Sequence, residues 1–184
     1  MQSEGDEKAE RYRSGGLFSG VVGLLVVVAL LVYGLVSETD GFGAWVYPLL
    51  LLVGVLCWAI LLRPAVLLHR DEIELRNVLH TRWIPFGRID QVQVGQVTSV
   101  HADERRYVGS GFGRSRLTIN RDARAGEDSS TGRHSLGWLV EEKIHRRMRA
   151  EGAATGPVRR TWAWPEIVAL VVLTLATLVT ALVA

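Results

Sequence analysis

Three long apolar blocks interrupt an otherwise mixed pattern of hydrophobic and polar positions. The first covers residues 17–36 and the second 43–62, both without charge, and the third covers 162–184 with Glu166 in its first turn. A helix of about 20 residues spans roughly 30 Å, the thickness of a bilayer hydrocarbon core. The pattern predicts three transmembrane helices, the first two forming a hairpin across a short acidic connection.

Residues 63–157, between the second and third blocks, have the pattern of a small soluble domain. Alternating apolar positions predict short strands. These strands are expected at Ala65–His69, Glu72–Arg76, Arg82–Phe86, Ile89–Val97 and Arg116–Asn120. Residues 101–116 and 122–134 are rich in small and polar residues and are expected to form loops.

An amphipathic helix is predicted at about Ser135–Glu151, followed by Gly152 as a stop signal. Its apolar stripe falls at four-residue steps, on Leu136, Val140, Ile144 and Met148. Several short strands followed by one helix predict a small β-sandwich or partly open barrel closed by that helix. The first 16 residues are predicted to be a tail.

Basic residues near the apolar blocks predict the orientation of the chain. They occur in the N-terminal tail, after the second block and before the third, whereas the hairpin connection has only Glu38 and Asp40. This distribution predicts a multi-pass cell-membrane protein with its N-terminus and soluble domain in the cytoplasm and its C-terminus at the outer face. For Glu166, an interfacial residue in contact with water and a buried proton or ion ligand are both open.

The soluble region is basic. Residues 63–161 contain 18 Lys and Arg and 12 Asp and Glu, so the net charge is 18 − 12 = +6. Such a domain at the inner membrane face is attracted to anionic lipid headgroups. Nucleic acid is the other customary partner of basic surfaces, but no helix-turn-helix, zinc or RNA-binding pattern is present, so no nucleic-acid partner is predicted.

The segment from about residue 45 to 95 resembles the bacterial PH-like domains of small actinobacterial-type membrane proteins. The matching residues are Arg63-Pro64, Asp71 with Ile73, Arg76-Asn77, Arg82, and Pro85-Phe86 with Ile89 and Val92. The resemblance implies a PH-like roll of two antiparallel sheets closed by a C-terminal helix. It does not carry phosphoinositide binding across, because the loop after the first strand, Arg70-Asp71-Glu72, is net acidic.

No catalytic, metal or cofactor motif is recognisable. The five histidines are scattered without metal-ligand spacing, the carboxylates form no acid/base pair, and Cys57 is the single cysteine. The glycine-rich segment Gly109–Gly113 is neither a P-loop nor a dinucleotide fingerprint. It is interpreted as a flexible turn or bulge. The alternative is an anion site formed with neighbouring arginines, which are Arg105, Arg106, Arg114 and Arg116.

These observations predict a non-enzymatic, membrane-tethered PH-like module with a scaffolding or regulatory role at the inner face of the cell membrane. Its expected partners are the lipid bilayer, a membrane protein and anionic lipid headgroups bound by the four arginines. One alternative is a subunit of a larger membrane complex that makes its contacts through the transmembrane helices. Another is an enzyme acting on lipid-linked substrates.

Overall fold

The computed structural model describes residues 9–13, 16–37, 42–113, 118, 135–149 and 155–183. In chain order the helices are α1 (Gly16–Val36), α2 (Val46–Cys57), α3 (Leu136–Met148) and α4 (Trp164–Val183). The strands are β1 (Glu10–Tyr12), β2 (Ala65–Leu68), β3 (Glu72–Arg76), β4 (His80–Pro85), β5 (Ile89–Val94), β6 (Thr98–Ala102), β7 (Arg105–Gly109) and β8 (Arg159–Trp162).

The chain divides into two compact units. One combines residues 1–14 with 64–161 and contains both β-sheets, and the other combines residues 15–63 with 162–184 and contains α1, α2 and α4. The predicted domain at 63–157 therefore lacks two parts of the sheet unit. Strand β1 comes from the segment predicted to be a tail, and β8 lies beyond the predicted boundary.

In the helical unit, α1 and α4 are long and apolar enough to cross a membrane, with mean hydropathies of 2.6 and 2.5. The second predicted span is shorter than expected, because residues 43–45 precede the helix and the apolar helix covers Val46–Leu62. Its last turn, Trp58–Leu62, is a π-helix. Pro48 lies in the first turn of α2, where its missing N–H costs no hydrogen bond.

The sheet unit contains two antiparallel sheets. The larger has the strand order β1-β2-β3-β4-β8, and the smaller has the order β5-β6-β7. Their apolar faces form one core. Its largest fully buried side chains include Phe86, Leu68, Ile73, Leu75 and Ile84. The coarse prediction of antiparallel strands with helices is confirmed.

The predicted strands agree best with the structure where apolar and polar residues alternate. Strand β3 has the predicted bounds, and β2 is one residue shorter than predicted. Strand β4 begins two residues before the prediction, and the predicted Ile89–Val97 strand ends at Val94. Of the predicted Arg116–Asn120 strand, Thr118 has helical backbone geometry, and the other four residues lie outside the described ones.

The segment expected to be loose contains most of the β6-β7 hairpin. Its turn residues, Asp103 and Glu104, have φ values of 49° and 60°, an arrangement that the absence of Gly or Asn conceals in the sequence. Arg88 Nη1 donates to both Asp103 carboxylate oxygens, at 3.1 and 2.9 Å. This contact holds the turn against the residues that precede β5.

Helix α3 begins and packs as the sequence predicts. Ser135 is its N-cap and accepts a hydrogen bond from the Trp138 backbone N–H at 3.3 Å. Val140 and Ile144 are buried in the core. The predicted stripe is wrong at its first position, because Leu136 is 67% exposed. The predicted stop at Gly152 lies outside the described residues.

Side chains of β1 attach the N-terminal segment to α3. Glu10 accepts hydrogen bonds from Lys143 and from the Tyr12 hydroxyl, the latter at 2.6 Å. The Lys143 hydrogen bond is the main cause that lowers the pKa of Glu10 below its ordinary 4.5. Burial, followed by the hydrogen bond to Glu10, raises the pKa of Tyr12 to about 12. Tyr12 also packs against Phe112, with ring centroids 5.7 Å apart.

We expect the sheet unit to lose stability at alkaline pH because Tyr12 ionises. Its folded pKa lies above the ordinary value of 10, so its contribution is fully present below pH 10 and is lost as the pH rises through about 12. Thermal unfolding of the full chain and of Tyr12→Phe across this range measures the effect. A pH dependence unchanged by Tyr12→Phe would contradict it.

Candidate anion-binding cleft

Arg82 occupies a core-facing position of the larger sheet. Its register partner on β3 is Leu75, and Ile84, two residues later on the same face, pairs with Ile73. These three apolar neighbours are fully buried. A charged side chain at such a position is costly unless it is paired or reaches solvent. The placement of Arg82 is therefore the first indication of a functional site.

Strand β7 contributes the opposite wall from the smaller sheet. Tyr107 pairs with the buried Val100, so its ring lies on the core face, and the Arg82 guanidinium lies over this ring at 4.9 Å. A cation over an aromatic face is held by the quadrupole of the ring. This contact holds the guanidinium against the ring.

Above this contact is a cleft of about 540 Å³ between β4 and β8 on one side and β7 on the other. It is lined by Arg82, Arg105, Arg106, Tyr107, Val158 and Arg160. All of these residues belong to the sheet unit. The lining described by the structure thus contains four arginines and no carboxylate. Tyr107 and Val158 pack partly against the core and add apolar surface.

The Arg82 Nε atom is buried and has no hydrogen-bond acceptor among the described residues. A buried donor without an acceptor costs about 1 to 3 kcal/mol, and more when the group is charged. Neither Arg105 nor Arg106, both exposed, has an ion-pair partner within the described part of the chain. The cleft thus combines a fixed inner guanidinium with further positive charge at its mouth, an arrangement that attracts anions.

Two of the four arginines that line this cleft were predicted from the sequence. Arg105 and Arg106 were predicted to bind an anion, and both line the cleft. Arg114 and Arg116 lie outside the described residues, so their part of the prediction stays a prediction. Arg82 and Arg160 were not identified as site residues. The sequence feature that could have identified Arg82 is its place in a predicted strand. It lies two residues before the apolar Ile84 and therefore on the same, inward face of the strand.

The glycine-rich segment Gly109–Gly113 packs tightly against the rest of the sheet unit, in contrast to the flexible turn that its composition suggested. Phe112 is buried in the core, and its backbone oxygen accepts a hydrogen bond from Thr98 Oγ1 at 2.9 Å. The Ser110 backbone N–H and hydroxyl both donate to Asn77 Oδ1, at 2.9 and 3.1 Å. The Ser110 amide is thus occupied by the protein's own acceptor.

We expect Asn77→Ala to destabilise the sheet unit by about 2 to 3 kcal/mol. The substitution removes the acceptor of Ser110 and also the donor to the Val108 backbone oxygen, 2.9 Å from Asn77 Nδ2. Asn77 is 8% exposed, so water replaces these bonds poorly. Thermal unfolding measures the effect, with Gln93→Ala as the control because Gln93 is exposed on β5. Equal stability of the two variants would contradict the expectation.

Glu166 is paired within the helical unit. Its Oε1 accepts a hydrogen bond from Arg63 Nε at 2.9 Å, and the two side chains are 20% and 14% exposed. The arrangement joins the first turn of α4 to the residue after the π-helical turn that ends at Leu62. It favours a structural ion pair over the alternative of a proton or ion ligand.

The described residues contain no group of three or more His, Cys, Asp or Glu side chains that could hold a metal ion. Glu74 is the most buried carboxylate among the core residues, at 1% exposure. It is paired with His69 at 2.9 Å and with Arg76. These contacts neutralise a buried charge within the larger sheet.

No protein-family model, curated protein or solved structure matches the chain. The features that point to a function are therefore the chemistry of the cleft and the apolar helices.

Proposed function

We propose that this protein is a non-enzymatic, membrane-tethered module whose sheet unit recognises an anionic group at the inner face of the cell membrane. The observation that carries the proposal is the four-arginine cleft with the buried Arg82 Nε, which has no acceptor in the part of the chain that the structure describes. In this role the protein scaffolds or regulates another component of the membrane.

The apolar helices support the membrane part of this proposal. Helices α1 and α4 have the required length and hydropathy, and large apolar side chains are exposed along both. In water such surfaces would be unfavourable, whereas lipid solvates them. The apolar helix Val46–Leu62 is the third span of the proposal, and the positive flanks support a cytoplasmic sheet unit.

The chain passes between the two units three times, at residues 14–15, 63–64 and 161–162. If the helices are inserted, the sheet unit is consequently held at the membrane surface by three covalent connections. A module with this attachment needs no lipid affinity of its own to stay at the bilayer. Its basic surface is therefore available to recognise a specific anionic group.

A PH-like architecture is part of the proposal. It is supported by the resemblance at residues 45–95 and by two antiparallel sheets that share a core with one helix after the seventh strand. The larger sheet also has a strand at each edge, β1 beside β2 and β8 beside β4.

Purification of the tagged full chain from its native membrane, followed by mass spectrometry, tests the proposal. We expect a stoichiometric protein partner or an enriched anionic lipid that is lost in Arg105→Glu/Arg106→Glu. The control is Arg146→Glu/Arg149→Glu, which makes the same charge change at two exposed positions on and after α3. Identical retention of bound components in both variants would reject the cleft as the recognition site.

A second function, as a subunit that acts through its helices, is favoured by the apolar surface of α4. Val168, Val171 and Val172 are more than half exposed, so their side chains are available to a neighbouring transmembrane helix. Replacing the helices with unrelated transmembrane segments separates the two functions. Retained partner binding assigns recognition to the sheet unit, and lost binding assigns it to the helices.

A further inference from the structure

We propose that the arginine cleft binds a phosphomonoester, a terminal phosphate group that carries two negative charges. This inference rests on the proposed function and specifies the anion that the cleft recognises. The group could be presented by a soluble phosphorylated molecule or by a lipid whose headgroup ends in phosphate. Both sources share this chemistry, and binding measurements with soluble and lipid phosphates distinguish them.

The charge of the cleft favours a doubly charged group. Four guanidinium groups line it, and those of Arg82, Arg105 and Arg106 have no carboxylate partner among the described residues. Guanidinium groups are planar and present paired N–H donors that match phosphate oxygens. A carboxylate has two acceptor oxygens and one charge, whereas a terminal phosphate has three acceptor oxygens and two charges. The phosphate therefore uses more of the donors that the cleft offers.

The depth of the cleft favours a terminal phosphate over a diester. The Arg82 guanidinium lines the cleft and is held against the Tyr107 ring at its inner end. A monoester presents its oxygens at the tip of the molecule and can reach the inner guanidinium. The phosphate of a diester has substituents on two sides, so the walls formed by β4 and β7 would hinder its approach.

The remaining surface of the cleft accommodates an organic group attached to the phosphate. Its volume of about 540 Å³ lies within the range of sites that bind small molecules. Tyr107 and Val158 supply the apolar part of the lining, and both pack against the core. Arg105 and Arg160 are exposed. A phosphate ester with a small organic part therefore fits this combination better than a bare ion.

The test measures binding to the purified full chain in neutral detergent. Calorimetry compares glycerol 3-phosphate, a soluble monoester, with dimethyl phosphate, a soluble diester. Native mass spectrometry compares phosphatidic acid, a lipid monoester, with phosphatidylglycerol, a lipid diester. We expect a monoester in at least one of these pairs to bind at least about tenfold more tightly than its diester. Binding of glycerol 3-phosphate alone would identify a soluble molecule as the carrier of the phosphate. Binding of phosphatidic acid alone would identify a lipid headgroup.

Variants connect the binding to the cleft. Arg82→Gln should weaken monoester binding by about 10- to 100-fold, the usual range for a lost hydrogen bond to a charged group. Arg146→Gln makes the same charge change on an exposed face of α3 and should leave binding unchanged. Because Arg82→Gln alters an inward position, Arg105→Gln on the exposed edge strand provides a second variant, with an expected loss of several-fold.

Three results would overturn the inference. They are equal binding of monoester and diester, absence of binding by both monoesters, and equal binding by Arg82→Gln, Arg105→Gln and the control. The first two reject the phosphomonoester but leave the proposed function intact if Arg105→Glu/Arg106→Glu still loses its membrane partner. If Arg105→Glu/Arg106→Glu also keeps its bound components in that purification, the proposed function itself is rejected.

Discussion

Replacing Gly111 with alanine is expected to unfold the sheet unit or to lower its melting temperature by at least about 12 °C. An added Cβ atom would lie 2.1 Å from the Ala65 backbone nitrogen and 2.3 Å from its Cα. Ala65 begins β2, which pairs on one side with β1 and on the other with β3. The clash therefore involves the backbone of a residue that pairs with Arg76 on β3, and no side chain can rotate to relieve it.

The expected cost of Gly111→Ala is about 3 kcal/mol or more, the upper end of ordinary overpacking. For a domain of this size each kcal/mol lowers the melting temperature by about 4 to 8 °C. Near-UV circular dichroism on heating measures it in detergent. Gly156→Ala is the control, because its Cβ would approach no atom closer than 3.9 Å. Melting of both variants at the wild-type temperature would contradict the packing of the glycine-rich segment.

Two arginines in the middle of α4 are expected to prevent this helix from crossing the membrane. We choose Val172→Arg/Leu175→Arg, since both side chains are more than half exposed and lie on the surface that would face lipid. Each arginine at the centre of a span costs about 2.5 to 3.5 kcal/mol on the insertion scale. The eleven Leu, Ile and Val residues of α4 contribute about −3 to −7 kcal/mol in total. The two substitutions therefore cancel most of the driving force.

A reporter fused after Ala184 measures this effect. We expect an outer-side signal from the native sequence and an inner-side signal from the double arginine variant. Val172→Ala/Leu175→Ala is the control, because it removes the same side chains without adding charge and should keep the outer-side signal. An inner-side signal from the native sequence would show that α4 does not cross the membrane as proposed.

The sequence predicted the elements that are determined by residues within one short segment. Strand β3 alternates polar and apolar residues over its entire length, and α3 combines an N-cap serine with apolar positions at helical spacing. The long apolar helices α1 and α4 are visible for the same reason. In each case the residues that determine the element lie within one short window, so tertiary contacts change its bounds by few residues.

The elements that the sequence missed depend on distant partners. Strand β1 has three residues and no periodicity, and its contacts with Leu68 on β2 and Lys143 on α3 are made by Glu10. The β6-β7 hairpin lacks the usual turn residues, and its Asp103 is held by Arg88 from before β5. Pairing between strands remote in the chain supplies the register that local patterns lack.

Only part of the cleft could be predicted, because its residues come from strands that are distant in the chain. Arg105 and Arg106 are adjacent and lie close to the glycine-rich segment, so their charge is conspicuous in the sequence. Arg82 and Arg160 join them because β4 and β8 are neighbours in the larger sheet while β7 belongs to the smaller one. A strand pattern places Arg82 on a face, but only the packing of the two sheets brings that face opposite Tyr107.

Apolar helices that hold the arginine cleft at the inner face of the cell membrane determine which engineered cysteines a reagent outside the cell can label. In a Cys57→Ser background, Arg146→Cys places a thiol on the exposed face of α3, and Ser37→Cys places one after α1. We predict that a membrane-impermeant maleimide labels position 37 in intact cells and position 146 only after permeabilisation. Labelling of position 146 in intact cells would show that the sheet unit does not lie at the inner face of the membrane.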